Sequence, residues 1–288
     1  MEKFCVAIII FFGIYDSCHV DNVRPLVKGA MSVKQLDEGI YFLEFSGNDG
    51  FDEFLDRGGA ADASDLGVYI AEFISRGFLK QPAAKPQKQD FGCSTMAVVT
   101  TDGTRLMGRN FDWQNCQCII SKVNPKGGYR YISAFNPDFF GFGPGWKPER
   151  FTNQYLALAT LFAALDGVNE KGLAVADLTA GENSETHQNN GKPDLTTTCA
   201  IKYLLKSAAS VDEAVTLLEG IDFHSDIGNL HHLSISDASG RTAFSEVLYN
   251  QQFIEIPSAF WWKGFSQLAD YQPFSNTAFV VCIHFAKA

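Results

Sequence analysis

The chain has 288 residues, 46% of them hydrophobic and 19% charged, with a formal net charge of −10. These are the proportions of an ordinary globular protein with apolar material for one large core or two small ones. The acidity is spread along the chain and no long basic run interrupts it, which argues against nucleic acid as a partner. The cysteines (Cys5, Cys18, Cys93, Cys116, Cys118, Cys199 and Cys282) are irregularly spaced, so no disulfide framework is indicated. Cys116-Gln117-Cys118 is too tight for a zinc knuckle, and most of these residues read as small buried hydrophobes.

From Phe4 to Tyr15 an almost unbroken apolar run follows Lys3. It is short for a membrane span and suits the core of a signal peptide or a short anchor. Glu2 and the lack of a small-x-small cleavage pattern keep a buried start of an intracellular domain as the alternative. Residues 1–20 are therefore set apart as a signal peptide or N-terminal anchor. The expected location is secreted or membrane-anchored outside the cytoplasm, with membrane association through residues 4–15; otherwise it is cytoplasmic.

Val33 to Phe45 predicts a strand, rich in β formers at Ile40-Tyr41-Phe42-Leu43. Asn48-Asp49-Gly50 predicts a turn, and Phe51 to Leu55 a short helical turn ending at Gly58-Gly59. Asp62 to Phe78 predicts a helix, with Leu66, Tyr69, Ile70, Phe73 and Ile74 on one stripe and Gly77 as a stop. Residues 21–92 thus form a folded pro-segment or covering region. The polar stretch 81–90, with Pro82 and Pro86, is the best boundary, and residues 93–288 form the main domain.

Two β-type runs around Asp102-Gly103 predict a hairpin that returns Arg109 and Asp112 alongside Cys93. The segment Phe139 to Trp146 reads either as an aromatic loop at a pocket mouth or as the edge of a core. Asp166 to Leu173 predicts a turn between strands, Thr196 to Ser207 and Val211 to Leu218 two helices with Ser210 as a cap, and Leu230 to Leu248 a second hairpin.

Gly92-Cys93-Ser94-Thr95, Gly108-Arg109-Asn110-Phe111-Asp112-Trp113, Asp166-Gly167-Val168-Asn169-Glu170-Lys171-Gly172-Leu173 and Leu230-His231-His232-Leu233 occur in that order. In this ordered combination, over about residues 91 to 250, the chain resembles the choloylglycine hydrolase family, the bile salt hydrolases and penicillin V acylases. The resemblance implies an α+β fold, the four-layer αββα sandwich of N-terminal-nucleophile hydrolases, and hydrolysis of carbon–nitrogen bonds in linear amides. It implies no cofactor and no metal. The partner would be a small-molecule amide, and a homo-oligomer is an open expectation.

The chemistry would begin with a cut before Cys93, which gives that residue a free α-amine beside its thiol. Such an amine titrates near about 8 and can serve as a base at neutral pH. Arg109 is expected to lower the thiol pKa, and Asp112 to hold the amine by a charge-assisted hydrogen bond. The plainer alternatives are a core thiol at Cys93 and a surface ion pair between Arg109 and Asp112. Thr179 stands where bile salt hydrolases carry an oxyanion-hole asparagine, and a hydroxyl there could still donate. Asn169 is the second oxyanion or substrate candidate, although its turn position favours a structural role, and His231 and His232 read as satisfied structural histidines. Beyond Glu246 the chain matches neither the second catalytic asparagine nor the later arginine of the family; Asn250 and Asn276 lie outside the motif. After about residue 250 it reads as atypical or truncated. An acyltransferase of the same superfamily and an inactive relative with an incomplete site are the alternative functions.

Overall fold

A computed structural model describes residues 17–75, 92–99, 101–103, 105–113, 116–143, 145–181, 186–246, 252–256, 261–263 and 279–284. The apolar run at 4–15 and the boundary stretch at 81–90 lie outside the described residues. Among the described residues no helix is long and apolar enough to cross a membrane.

The chain begins with helix α1 (Ser17–Met31) and a hairpin of β1 (Lys34–Asp37) and β2 (Ile40–Gly47). The sequence predicts one strand here; Gly39, at φ 72°, breaks it into two by allowing the left-handed turn. Helices α2 (Phe51–Asp56) and α3 (Ala63–Ser75) follow, close to the expected positions. The strands β3 (Gly92–Val99) and β4 (Arg105–Asp112) form the predicted hairpin. Next come β5 (Cys118–Pro125), β6 (Tyr131–Phe135), α4 (Phe151–Leu156), β7 (Asp166–Asn169) and β8 (Ala174–Gly181). After β9 (Asp194–Thr196) come α5 (Thr197–Ser207), α6 (Val211–Glu219), β10 (Asp222–His224), β11 (Leu230–Ser236) and β12 (Thr242–Glu246). The Ser210 side chain caps α6 by accepting from the Glu213 N–H, as its sequence position predicts. Three strands, β13 (Gln252–Ile256), β14 (Trp261–Lys263) and β15 (Phe279–His284), end the described chain.

These elements make an α+β sandwich. A nine-stranded sheet runs β1-β2-β5-β6-β7-β8-β11-β12-β13, and a four-stranded sheet runs β14-β3-β4-β15. Their facing surfaces are joined by a hydrogen bond from Thr95 Oγ1 to Ser234 Oγ at 3.1 Å and by Met107 packed on Ala174 and Ala176. On the opposite side of the large sheet, Val175, Leu233 and Ile235 pack with Cys199, Leu204 and Leu205 of α5 and Val211 and Ala214 of α6. The outer face of the small sheet carries Met96 and Val98, both exposed. A fourth, helical layer on that face is not among the described residues.

The segment before Cys93 is built into this architecture and does not merely lie over it. β2 pairs parallel with β5 along its whole length, and such a pair needs a long crossover, here supplied by everything between Gly47 and Cys118. Leu26, Leu43, Phe45, Phe51, Phe54 and Leu66 share one core with Leu158, Phe162 and Leu204. The predicted division at residue 92 therefore falls within a single hydrophobic core.

Candidate active site

Cys93 is the second residue of β3 and faces the large sheet. Its neighbours are Phe111, Trp113, Phe135, Phe139, Leu178, Ile227 and Phe244, an apolar cluster separate from the main core. The antiparallel register sets Thr95 opposite Arg109, Cys93 opposite Phe111 and Gly92 opposite Asp112. The Arg109 side chain leans back along this face, so that Nη2 lies 3.7 Å from Cys93 Sγ. The hairpin does what its turn signal implies: it brings a guanidinium to the thiol.

Arg109 is itself buried. Nη1 lies 3.3 Å from Asp166 Oδ2 at the start of β7, Nη2 donates to the Asp177 carbonyl at 3.2 Å, and the guanidinium sits 4.5 Å from the Phe111 ring centre. Burial raises the Asp166 carboxyl above the usual range, with Arg109 working against that shift. Asp112 is not the partner of Arg109. The two are three apart on one strand and so point to opposite faces. Asp112 is exposed, and both its oxygens accept from Asn110 Nδ2 at 3.0 Å. It lies beside Gly92 instead: a Cβ on that glycine would come within 3.4 Å of Asp112 Oδ2.

The sequence expectation of a lowered thiol pKa is corrected. Burial pushes Cys93 up to about 12, and Arg109 only partly offsets it. The thiol is therefore protonated at neutral pH. A backbone N–H from Thr179 hydrogen-bonds the sulfur. The Thr179 hydroxyl is buried and has no hydrogen-bond partner among the described residues. The geometry thus gathers Cys93, Arg109 and the Thr179 backbone at one point.

Asn169 is not part of that point. Its Nδ2 donates to the carbonyls of Leu205 (3.0 Å) and Ala208 (2.6 Å), and its Oδ1 accepts from the Lys171 and Leu173 N–H groups. Every polar position of the amide is spent on tying the β7–β8 turn to the end of α5, which leaves none for an oxyanion. His231 is buried with Nδ1 2.8 Å from Asp177 Oδ1. Burial lowers its pKa, but the Asp177 carboxylate outweighs burial and the net shift is upward. The aromatic segment divides: Phe139 joins the cluster around Cys93, while Trp146 joins the main core. Cys116 and Cys118 are free thiols. The sequence reading missed Asp166 as the counter-ion of Arg109. Its signal was present, since an acid directly after the apolar run ending at Leu165 must be paired if it is buried.

The profile of the linear amide C–N hydrolases, choloylglycine hydrolase family, matches residues 93–251, more than half of the chain. The chain belongs to the choloylglycine hydrolase family. The match begins on Cys93 itself and takes in Arg109, Asp166 and Thr179. Penicillin V acylase of Pectobacterium atrosepticum is 38% identical over an alignment of 100 residues that covers 31% of this chain and 26% of that protein. Two solved structures align with 57% of the chain. Penicillin V acylase from Agrobacterium tumefaciens has 21% identity and a TM-score of 0.39, with 49% of its own chain covered. A variant of conjugated bile acid hydrolase from Clostridium perfringens has 18% identity and a TM-score of 0.40, with 51% covered. The chain thus spans about a quarter of that curated relative and about half of each of these two solved chains.

Proposed function

We propose that this protein hydrolyses the carbon–nitrogen bond of a linear amide with an apolar acyl group, using Cys93 as an N-terminal nucleophile. The observation that carries the reading is the buried approach of Arg109 to the Cys93 sulfur, within a family whose members are linear amide hydrolases. The apolar cluster from Phe111 to Phe244 supports an apolar acyl chain over a charged one.

Cleavage of the Gly92–Cys93 bond would convert the Cys93 N–H into an α-amine beside Asp112. That amine takes the thiol proton as the sulfur attacks the amide carbon. The resulting oxyanion is met by the backbone N–H of Thr179. The ammonium returns the proton to the leaving nitrogen and a thioester remains. Water, deprotonated by the same amine, then adds to the thioester, the carboxylic acid leaves and the thiol is restored. In this reading the high thiol pKa of the uncut chain keeps the precursor dormant.

The test combines mass spectrometry of the purified protein with hydrolysis of phenoxyacetyl and long-chain acyl amides. A species beginning at Cys93 is expected, with activity lost in Cys93→Ala. A chain never cut before Cys93, or amide hydrolysis that survives in Cys93→Ala, overturns the proposal. A cut chain that stays inactive on every acyl amide favours an inactive relative.

A further inference from the structure

A second cluster of reactive side chains lies where β9 and β10 run parallel, with Asp222 opposite Asp194 and His224 opposite Thr196. Asp222 and His224 are two apart on β10 and so share a face. His224 Nε2 lies 2.8 Å from Asp194 Oδ1 and 3.5 Å from Asp222 Oδ1. One N–H cannot serve both carboxylates. Asp222 Oδ2 is held by the N–H groups of Asn190 (2.7 Å) and Gly191 (3.3 Å), which fixes the carboxylate and turns Oδ1 toward the imidazole. That Oδ1 is buried and has no hydrogen-bond partner among the described residues, and Asp222 as a whole is only 3% exposed. A carboxylate oxygen held in this way is costly unless a cation meets it.

We propose that Asp194 Oδ1, Asp222 Oδ1 and His224 Nε2 bind a divalent first-row metal ion, with His187 orienting the imidazole. The three ligand atoms lie within 4.8 Å of one another. The two separations from Nε2 bracket the edge of about 3.3 Å that tetrahedral ligands at zinc distances make. One imidazole nitrogen with two carboxylates selects an ion such as zinc over calcium or magnesium. His224 Nδ1 lies 3.0 Å from His187 Nδ1. Metal on Nε2 places the ring proton on Nδ1, where His187 accepts it, the outer hydrogen bond that ligating histidines commonly make.

The site also has a mechanical role. The Asp194 N–H donates to the Gly58 carbonyl, and the Asp194 carbonyl accepts from the Ala60 N–H, each at 2.8 Å. Gly59 between them has φ 77° and would place a Cβ 1.8 Å from the Asp194 oxygen, so the approach requires glycine. A cation on Asp194 therefore clasps the segment before Cys93 to β10 after it. This inference is independent of the chemistry at Cys93.

Zinc titration of the full-length protein, followed by calorimetry, tests it, with cobalt as the spectroscopic probe. One equivalent of zinc is expected, along with a higher melting temperature. Cobalt should give a d–d spectrum without the sulfur charge-transfer band that binding at Cys116 or Cys118 would produce. Asp222→Asn and His224→Gln should weaken binding at least about 100-fold, and His187→Ala about 10- to 100-fold. If the buried variants do not fold, Asp194→Asn decides, because that side chain is 41% exposed. It should weaken binding about tenfold or more and abolish the thermal shift. Absence of a zinc equivalent in the wild type, wild-type affinity in Asp194→Asn, or a sulfur-bound cobalt spectrum overturns the proposal.

Discussion

Phe162 is the hub through which the segment before Cys93 grips the rest of the molecule. It is fully buried, and its ring centre lies 6.3 Å from Phe51, 6.0 Å from Phe54, 5.4 Å from Tyr69 and 5.3 Å from Phe73. All four of those rings precede Cys93. Phe162→Ala should cost about 3–5 kcal/mol, the usual cost of deleting a buried aromatic ring and leaving a cavity. At about 2–4 °C per kcal/mol, the melting temperature should fall by about 6–20 °C. Urea denaturation and calorimetry of Phe162→Ala and Phe162→Leu measure this, with the leucine variant losing less. The same contacts determine what happens after a cut at Gly92–Cys93. The N-terminal fragment should stay bound through gel filtration, held by the Phe162 hub, the β2–β5 pairing and Lys206, whose Nζ lies 2.9 Å from Asp49 and 2.8 Å from Asp52. In Phe162→Ala the fragment should dissociate. A loss below about 1 kcal/mol would refute the reasoning, because a ring so enclosed cannot be removed at that cost unless the segment is not packed there.

Three further outcomes are expected. Asp166→Asn leaves the Arg109 charge buried without a carboxylate and should cost about 3–5 kcal/mol in urea unfolding; a neutral effect would show that Asp166 is not its counter-ion. Asn169→Ala should cost about 2–4 kcal/mol by removing four hydrogen bonds, while the folded fraction keeps its activity on any substrate the wild type accepts. Because His231 has its pKa raised in the folded state, its contribution is complete below the unfolded value of about 6.5 and is lost as pH rises through the folded value. Urea midpoints measured from pH 5 to 9 should show that decline in the wild type and not in His231→Gln; an unchanged slope in the variant would assign the decline elsewhere.

Much of the local structure is legible in the amino-acid order. The Asp102-Gly103 hairpin, the apolar stripe of α3, the Ser210 cap and the ordered motifs from Cys93 to His232 each depend on near neighbours or on a fixed offset along a strand. That is enough to set Arg109 beside Cys93 and to identify the family. Other features depend on contacts between residues far apart in the chain. Strand alternation by itself sends Arg109 and Asp112 to opposite faces, but nothing near Arg109 in the sequence tells that Asp166 meets it, because the start of β7 reaches that guanidinium only once the sheets are stacked. The order of residues around Cys93 suggests a thiol acidified by a neighbouring cation. Enclosure by Phe111, Trp113 and Phe244 reverses the sign, since desolvation outweighs one guanidinium. Likewise, Asp194 and His224 become neighbours only through the parallel pairing of β9 with β10. The sequence by itself determined the approach of Arg109 to Cys93 across the hairpin and the family. Tertiary packing decided the charge state of the thiol, the counter-ion of Arg109 and the union of the segment before Cys93 with the core, because burial and long-range pairing are properties of the folded chain alone.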